Sequence, residues 1–318
     1  MLRITVSLFL SLILIACSHE PQTSKVTVAI NPWPGYELLY LAEEKGFFKE
    51  VGLNIKLVQT ATLSDAQRAY ISGRVDGFAS TIVEAVQAQE FGGAPLSVVL
   101  LADYSNGGDV ILSQAPYQSL SDLRGKKIGC EVSSLGIYIL ARALTVYDMS
   151  LDDVEIVNVE QGNALHSLNI GQIDAMVTYP PYSFEILNDL NQVNYSVFTT
   201  AEIPNEILDI VSISKQRIKD DPSLAPKLHQ AWQMSYDYLK LHPIEAVKLM
   251  AEREGISEYE FNQSLKGIYL FNNSEQSHQL KNQQDLISLA QSVCDTLNKV
   301  GAFNSSCDHI KTLFYSEI

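Results

Sequence analysis

The sequence predicts an α/β protein of two similar lobes, and three observations carry the prediction. The chain repeats one stretch: Gly73-Arg74-Val75-Asp76-Gly77-Phe78-Ala79-Ser80-Thr81 shares its layout with Gly171-Gln172-Ile173-Asp174-Ala175-Met176-Val177-Thr178-Tyr179. Each copy follows an apolar-periodic run. Each reads as a helix end, a glycine just beyond it, a short turn and a buried strand ending in a hydroxyl. Around the two copies, short β-branched runs alternate with helical ones, as in a mostly parallel sheet flanked by helices. From Pro222 onward the chain reads as amphipathic helices, an extra layer on lobe one. Strand C-terminal ends of such sheets face the ligand crevice, so the two hydroxyl-bearing ends are expected to meet in a shared cleft.

A length of 318 residues predicts about two domains with ample core. The net charge of −15 excludes nucleic acid and acidic lipid as electrostatic partners, since either calls for a basic face. The first seventeen residues stand outside the fold. Met1-Leu2-Arg3 supplies one positive charge, and the apolar run Ile4 to Ala16 is short for a membrane span. Leu14-Ile15-Ala16-Cys17 resembles the lipobox of bacterial lipoproteins, in which the cysteine becomes the acylated N-terminus. Residues 18–25 then form a polar tether, which places the protein in the periplasm or cell envelope, anchored to a membrane by lipid. Cys294 and Cys307 enclose twelve residues; an oxidising compartment permits a bridge there, the alternative being two free thiols. Cys130 reads as a small buried hydrophobe, and no metal-type Cys/His spacing occurs.

Val26 to Ile30 is β-branched and alternating, the first strand. Asn31-Pro32-Trp33-Pro34-Gly35-Tyr36 can be neither helix nor ladder, because two prolines remove donors and hold their predecessors extended. A helix follows from Glu37 to Lys45, a strand from Asn54 to Gln59, and a helix begins at Ser64-Asp65 before the first copy of the repeat. Glu84 to Glu90 is helical and Leu96 to Ala102 a buried strand. Asp103 to Asp109 is a polar, glycine-rich break, and Val110-Ile111-Leu112 is the crossing into lobe two. Lys127 to Glu131 and Val154 to Val159 are strands either side of a helix from Ile137 to Tyr147, and the second repeat closes the lobe. Ile207 to Ile213 returns to lobe one. Four helices follow, over Ala225 to His242, Pro243 to Glu254, Glu258 to Gly267 and Gln283 to Val300, with the polar run Asn272 to His278 as a loop.

These landmarks, in this order, resemble the extracytoplasmic solute-binding proteins of bacterial ABC importers, the nitrate, sulfonate and thiamine-pyrimidine-type group. The matching residues are Trp33-Pro34-Gly35, Ala42-Glu43-Glu44-Lys45-Gly46-Phe47-Phe48, Gly73-Arg74-Val75-Asp76, Asp103 to Asp109, Leu123-Arg124-Gly125-Lys126-Lys127-Ile128-Gly129 and Gly171-Gln172-Ile173-Asp174-Ala175. The resemblance runs from about residue 26 to 300. It implies a type II periplasmic-binding-protein-like fold that closes on one small-molecule solute and presents it to an ABC permease in the inner membrane, or to a membrane sensor. Lobe one would comprise 26–108 and 211–318 and lobe two 109–210, in a monomer without cofactor or enzymatic activity.

Candidate ligand-binding residues follow from position and chemistry. Trp33 lies between prolines at a strand end, placed to stack on a ligand or to plug lobe packing, with Tyr36 beside it. Ser133, Ser134 and Gly136 sit at a strand-to-helix turn whose free N–H groups suit an electronegative group, or simply cap the helix. Ser80, Thr81, Thr178 and Tyr179 are the repeat's strand ends. Asp103 and Asp109, with Glu84, are the informative acids: two of them facing the cleft would call for an ammonium or a heteroaromatic N–H donor. Asp109 alternatively fixes the hinge through backbone N–H groups. No Ser-His-Asp, Cys-His, P-loop or HExxH arrangement is present. The ligand expected is a small nitrogen-containing or zwitterionic organic solute.

Overall fold

In a computed structural model, which describes residues 25–317, two sheets are built on one plan. The elements are β1 (Val26–Ile30), β2 (Ile55–Gln59), β3 (Gly77–Thr81), β4 (Leu96–Ser105), β5 (Val110–Gln114), β6 (Lys127–Cys130), β7 (Glu155–Asn158), β8 (Ala175–Thr178), β9 (Asn194–Thr199), β10 (Leu208–Ser214) and β11 (Ile268–Leu270). The first sheet runs β11-β4-β10-β3-β1-β2 and the second β7-β6-β8-β5-β9. In the first, β1 pairs parallel with β2 and β3; in the second, β6 pairs parallel with β7 and β8. One strand entering from the other lobe then inserts antiparallel beside each repeat strand, β10 against β3 and β5 against β8. The chain therefore crosses between lobes twice, from β4 to β5 and from β9 to β10. The lipobox Cys17 and the tether up to Ser24 lie outside the described residues.

The repeat explains why both lobes close the same way. Each copy follows a helix, Leu63–Ile71 or Ala164–Asn169, that ends two residues before a glycine with φ +70°, Gly73 or Gly171. That left-handed conformation is open to glycine at little cost. The aspartate three residues on then pins the turn to the lobe's first strand. Asp76 Oδ2 accepts from the Thr27 backbone N–H at 2.8 Å, and Asp174 Oδ2 from that of Lys127 at 2.9 Å. In lobe one Arg217 also pairs with Asp76 Oδ1 at 2.8 Å, and the Asp76 carboxyl is held below its ordinary range by its hydrogen bonds to Arg217 and Thr27 despite partial burial.

The C-terminal helices form one layer on lobe one. Trp232 is fully buried and donates from Nε1 to the Phe271 carbonyl at 2.8 Å; His229 joins the Val99 carbonyl to Asn273. Cys294 and Cys307 are joined as a disulfide, with Cα atoms 6.5 Å apart. The polar run expected as a loop is different: Asn273–Lys281 is a helix. Asn272 caps it, accepting from Ser274 and Glu275 N–H while Glu275 reaches back to the Asn272 N–H. Such a capping box starts a helix that composition alone hides.

Candidate functional site

Residues of both lobes line one narrow space. Lobe-one elements bring Asn31, Trp33, Tyr36, Leu63 and Asp209; Asp109 stands at the crossing into β5; Leu135 and Tyr179 come from the second sheet's side. The Trp33 loop is extended by its prolines, which leaves the indole free to turn inward. Its Nε1 donates to Asp103 Oδ2 at 3.1 Å, and its ring meets Tyr179 edge-on, centroids 6.1 Å apart and planes at 81°. Gly35 is required here, because a Cβ would overlap the Asp103 carboxylate. The Tyr36 hydroxyl donates to Asp209 Oδ1, and burial with the Asp209 charge raises the Tyr36 pKa.

Three carboxyl groups, Asp103, Asp109 and Asp209, thus gather beside the space with no Lys, Arg or His among the residues lining it. Asp103 and Asp209 face each other in register across β4 and β10, within hydrogen-bonding reach. Asp103 Oδ1 and Asp209 Oδ2 have no other donor among the described residues. Burial raises both pKa values well above the carboxylate range; the Trp33 N–H pulls Asp103 back, while the Asp103 charge pushes Asp209 further up. Asp109 is 2% exposed, and its Oδ2 has no donor among the described residues. Burial lifts its pKa to about 7 against the hydrogen bond of Ser105, with the Glu84 charge adding to the rise.

The crossings are tied to each other beside this cluster. The Ser105 and Thr200 hydroxyls lie 2.8 Å apart, Gly107 N–H donates to Thr200 Oγ1 at 2.9 Å, and Asp109 N–H to Ser105 Oγ at 3.1 Å. Thr200 N–H returns a bond to the Asp109 carbonyl at 3.0 Å. Asp109 therefore serves the hinge through its backbone and the cavity through its side chain.

Other sequence candidates are placed elsewhere. Ser80 donates to the Thr81 carbonyl, and Thr81 caps the Ile82–Glu90 helix, accepting from the Val83 N–H and donating to Glu84 at 2.6 Å. Thr178 is buried on β8 with its hydroxyl unpartnered, away from the cavity lining. Ser133 is exposed, and Gly136 packs against the Glu131 backbone, where a Cβ would come within 2.9 Å of the amide nitrogen. Ser134 neither caps its own helix nor reaches the cavity. It donates from Oγ to Glu84 Oε1 at 2.6 Å, and the Leu135 N–H donates to the same oxygen at 2.8 Å. The N-terminus of the Leu135–Val146 helix, expected to receive a ligand's electronegative group, thus holds a carboxylate from the opposite lobe. The physical reason is the one that prompted the expectation: free N–H groups and a positive helix end attract the nearest anion. Asp209, Asn31, Leu63, Leu135, Ser105 and Thr200 were not singled out from the sequence. Only Asp209 carried a readable signal there, an acid inside the apolar strand Leu208-Asp209-Ile210-Val211.

Two lobes, two crossings and a closed space between the sheets define the class of periplasmic solute-binding folds. Comparison with known proteins agrees: the chain belongs to the NMT1/THI5-like family, whose model matches residues 33–246. Among solved structures, it is similar to the alkanesulfonate-binding protein SsuA of Xanthomonas axonopodis pv. citri bound to MOPS (TM-score 0.76, 14% identity, 92% of this chain and 99% of that one). It is also similar to the periplasmic nitrate-binding protein NrtA of Synechocystis PCC 6803 (TM-score 0.73, 14% identity, 93% and 87%). Among curated sequences, a putative thiamine biosynthesis protein of Haemophilus influenzae is 26% identical over 216 residues, 67% of this chain and 68% of that one. A 4-amino-5-hydroxymethyl-2-methylpyrimidine phosphate synthase of Saccharomyces cerevisiae is 30% identical over 156 residues, and the match spans 45% of its length.

Proposed function

We propose that this protein is the solute-binding component of an ABC-type importer, holding one small molecule between its lobes and presenting it to a permease. One observation carries the reading: the space lined by Trp33, Asp109, Asp209 and Tyr179 is enclosed by both lobes together, so a solute enters only when they separate. Residues 26–108 and 211–318 act as one body and 109–210 as the other. Sheet membership supports that division, although β10 already begins at Leu208. The crossings at Ser105–Asp109 and Thr199–Ile207 supply the hinge, the common arrangement for closure around a ligand. Lipid attachment through Cys17 keeps the protein at a membrane surface outside the cytoplasm, within reach of its permease. The protein binds and releases its solute without altering it, although yeast relatives are named as a synthase.

Native mass spectrometry on protein purified without refolding tests the reading. The expected result is a one-to-one complex with a small molecule that is recovered unchanged after release and rebinding. Stripping that molecule is expected to enlarge the radius of gyration in solution scattering. A chain that purifies free of any small molecule and scatters identically under all solutes offered refutes the role, and a chemically altered molecule on rebinding reassigns it to catalysis.

A further inference from the structure

We propose that the cleft selects a small organic cation bearing N–H donors, an ammonium, amidinium or guanidinium group, and that Glu84 is the residue that excludes anions from it. The inference rests on the cleft being the solute site and names the chemistry that the site accepts. Asp109 presents a buried carboxylate oxygen with no donor, and such a group stands without a partner only at a cost of several kcal/mol. The Asp103 and Asp209 carboxyls lie beside it, within hydrogen-bonding reach of each other. A cation with N–H groups gives Asp109 the donor it lacks and offers further donors to the unpartnered oxygens of Asp103 and Asp209. Trp33, Tyr36 and Tyr179 supply the aromatic part of the wall. Their π-faces favour a cation within roughly 6 Å.

Glu84 argues the same point from the other side. The one feature of the cleft suited to an anion is the N-terminus of the Leu135–Val146 helix, and Glu84 already fills it. Glu84 Oε1 accepts from Ser134 and Leu135 across the lobes, while Oε2 accepts from the Thr81 backbone at 3.0 Å and from its hydroxyl. An anionic solute would have to displace a carboxylate held by four donors, and then sit beside Asp109.

Isothermal titration of the purified chain with methylguanidinium, methylammonium, tetramethylammonium, pyrimidine, nitrate and methanesulfonate tests the proposal, with Asp109→Asn alongside. Saturable binding is expected for methylguanidinium or methylammonium. Tetramethylammonium, a cation without N–H groups, is expected to bind at least tenfold more weakly than either. Asp109→Asn is expected to lower the cation affinity at least thirtyfold. The empty variant is expected to melt no lower than the parent, which separates a lost ligand contact from a lost fold. Tighter binding of pyrimidine, nitrate or methanesulfonate than of any cation overturns the inference, as does an Asp109→Asn affinity within threefold of the parent. Silence from all six probes also overturns it. The solute-binding reading then survives if native mass spectrometry finds another bound molecule, and falls with it if none is found.

Discussion

The two walls of the cleft differ in kind. The lobe-one wall is polar and deep: Trp33 and Tyr36 are tied to Asp103 and Asp209 by hydrogen bonds, and β4 and β10 hold those acids in register. The lobe-two wall is an apolar side chain and a ring, Leu135 and Tyr179. Further contacts across the cleft flank the cavity. Glu84 reaches into the lobe-two helix start, and Glu131 of lobe two faces Thr62 and Ser64 at the start of the lobe-one helix Leu63–Ile71. The Tyr182 hydroxyl donates to the Ala61 carbonyl at 2.7 Å. Each lobe thus sends one carboxylate to the positive end of the other's helix. The difference teaches a division of labour: lobe one recognises, lobe two shuts, and the marginal carboxylates set how firmly.

The largest test of that division is Asp209→Asn. It is nearly isosteric, yet it removes an ionisable carboxyl from the recognising wall and changes its contact with Asp103. Truncating one partner of a buried charged pair costs about 2–5 kcal/mol, so methylguanidinium affinity is expected to fall by at least about thirtyfold in titration. Tyr179→Ala, on the closing wall, is expected to act on the dissociation rate instead. Losing a buried ring of this size costs about 2 kcal/mol, a roughly thirtyfold faster release in stopped-flow measurements with association almost unchanged. Glu84→Ala is expected to speed release by about tenfold in the same measurement, since it removes charge-assisted hydrogen bonds at the margin worth about 1.5 kcal/mol. Should Tyr179→Ala slow association while Asp209→Asn leaves equilibrium affinity intact, the two walls have been assigned the wrong way round.

Much of this was legible in the sequence, and the limit has a physical cause. The repeat around Asp76 and Asp174 is local: helix end, glycine, turn and strand all lie within about ten residues, so spacing alone exposes them. Trp33, Tyr36 and Asp109 were readable because prolines and glycines mark loops at strand ends. Ser80, Thr81 and Ser134 were read as ligand contacts because a hydroxyl at a strand or helix end has two uses; Ser80 and Thr81 find partners one and three residues on, and Ser134 finds a carboxylate 50 residues away. Asp209 faces the cavity only because β10 inserts between β3 and β4, a pairing that no window of sequence contains. The helix Asn273–Lys281 was missed for a smaller reason, its weak apolar periodicity beside an intact capping box.

The smallest expected effect is the sharpest on mechanism, because the empty and loaded proteins respond to pH with opposite sign. Asp109 is lifted to about 7 by burial, facing Asp103, Asp209 and Glu84 as well as the hydroxyls of Tyr36 and Tyr179. A carboxyl whose pKa is raised on folding contributes stability fully below its ordinary range and loses it as pH rises through the folded value. The empty protein is therefore expected to lose thermal stability between pH 4 and about 7, with Glu131, also lifted to about 7 by burial, adding to the loss. A bound cation reverses the sign at Asp109, because it favours the ionised form and must displace the proton below pH 7. Methylguanidinium affinity is expected to rise about tenfold from pH 6 to pH 8, one pKa unit being worth about 1.4 kcal/mol, and then to level off. Titration in buffers of different ionisation enthalpy is expected to show proton release on binding near pH 6 that disappears in Asp109→Asn. An affinity that falls as pH rises over this range would place the titrating group outside the cavity, at the cross-lobe contact of Glu131, and remove Asp109 from recognition.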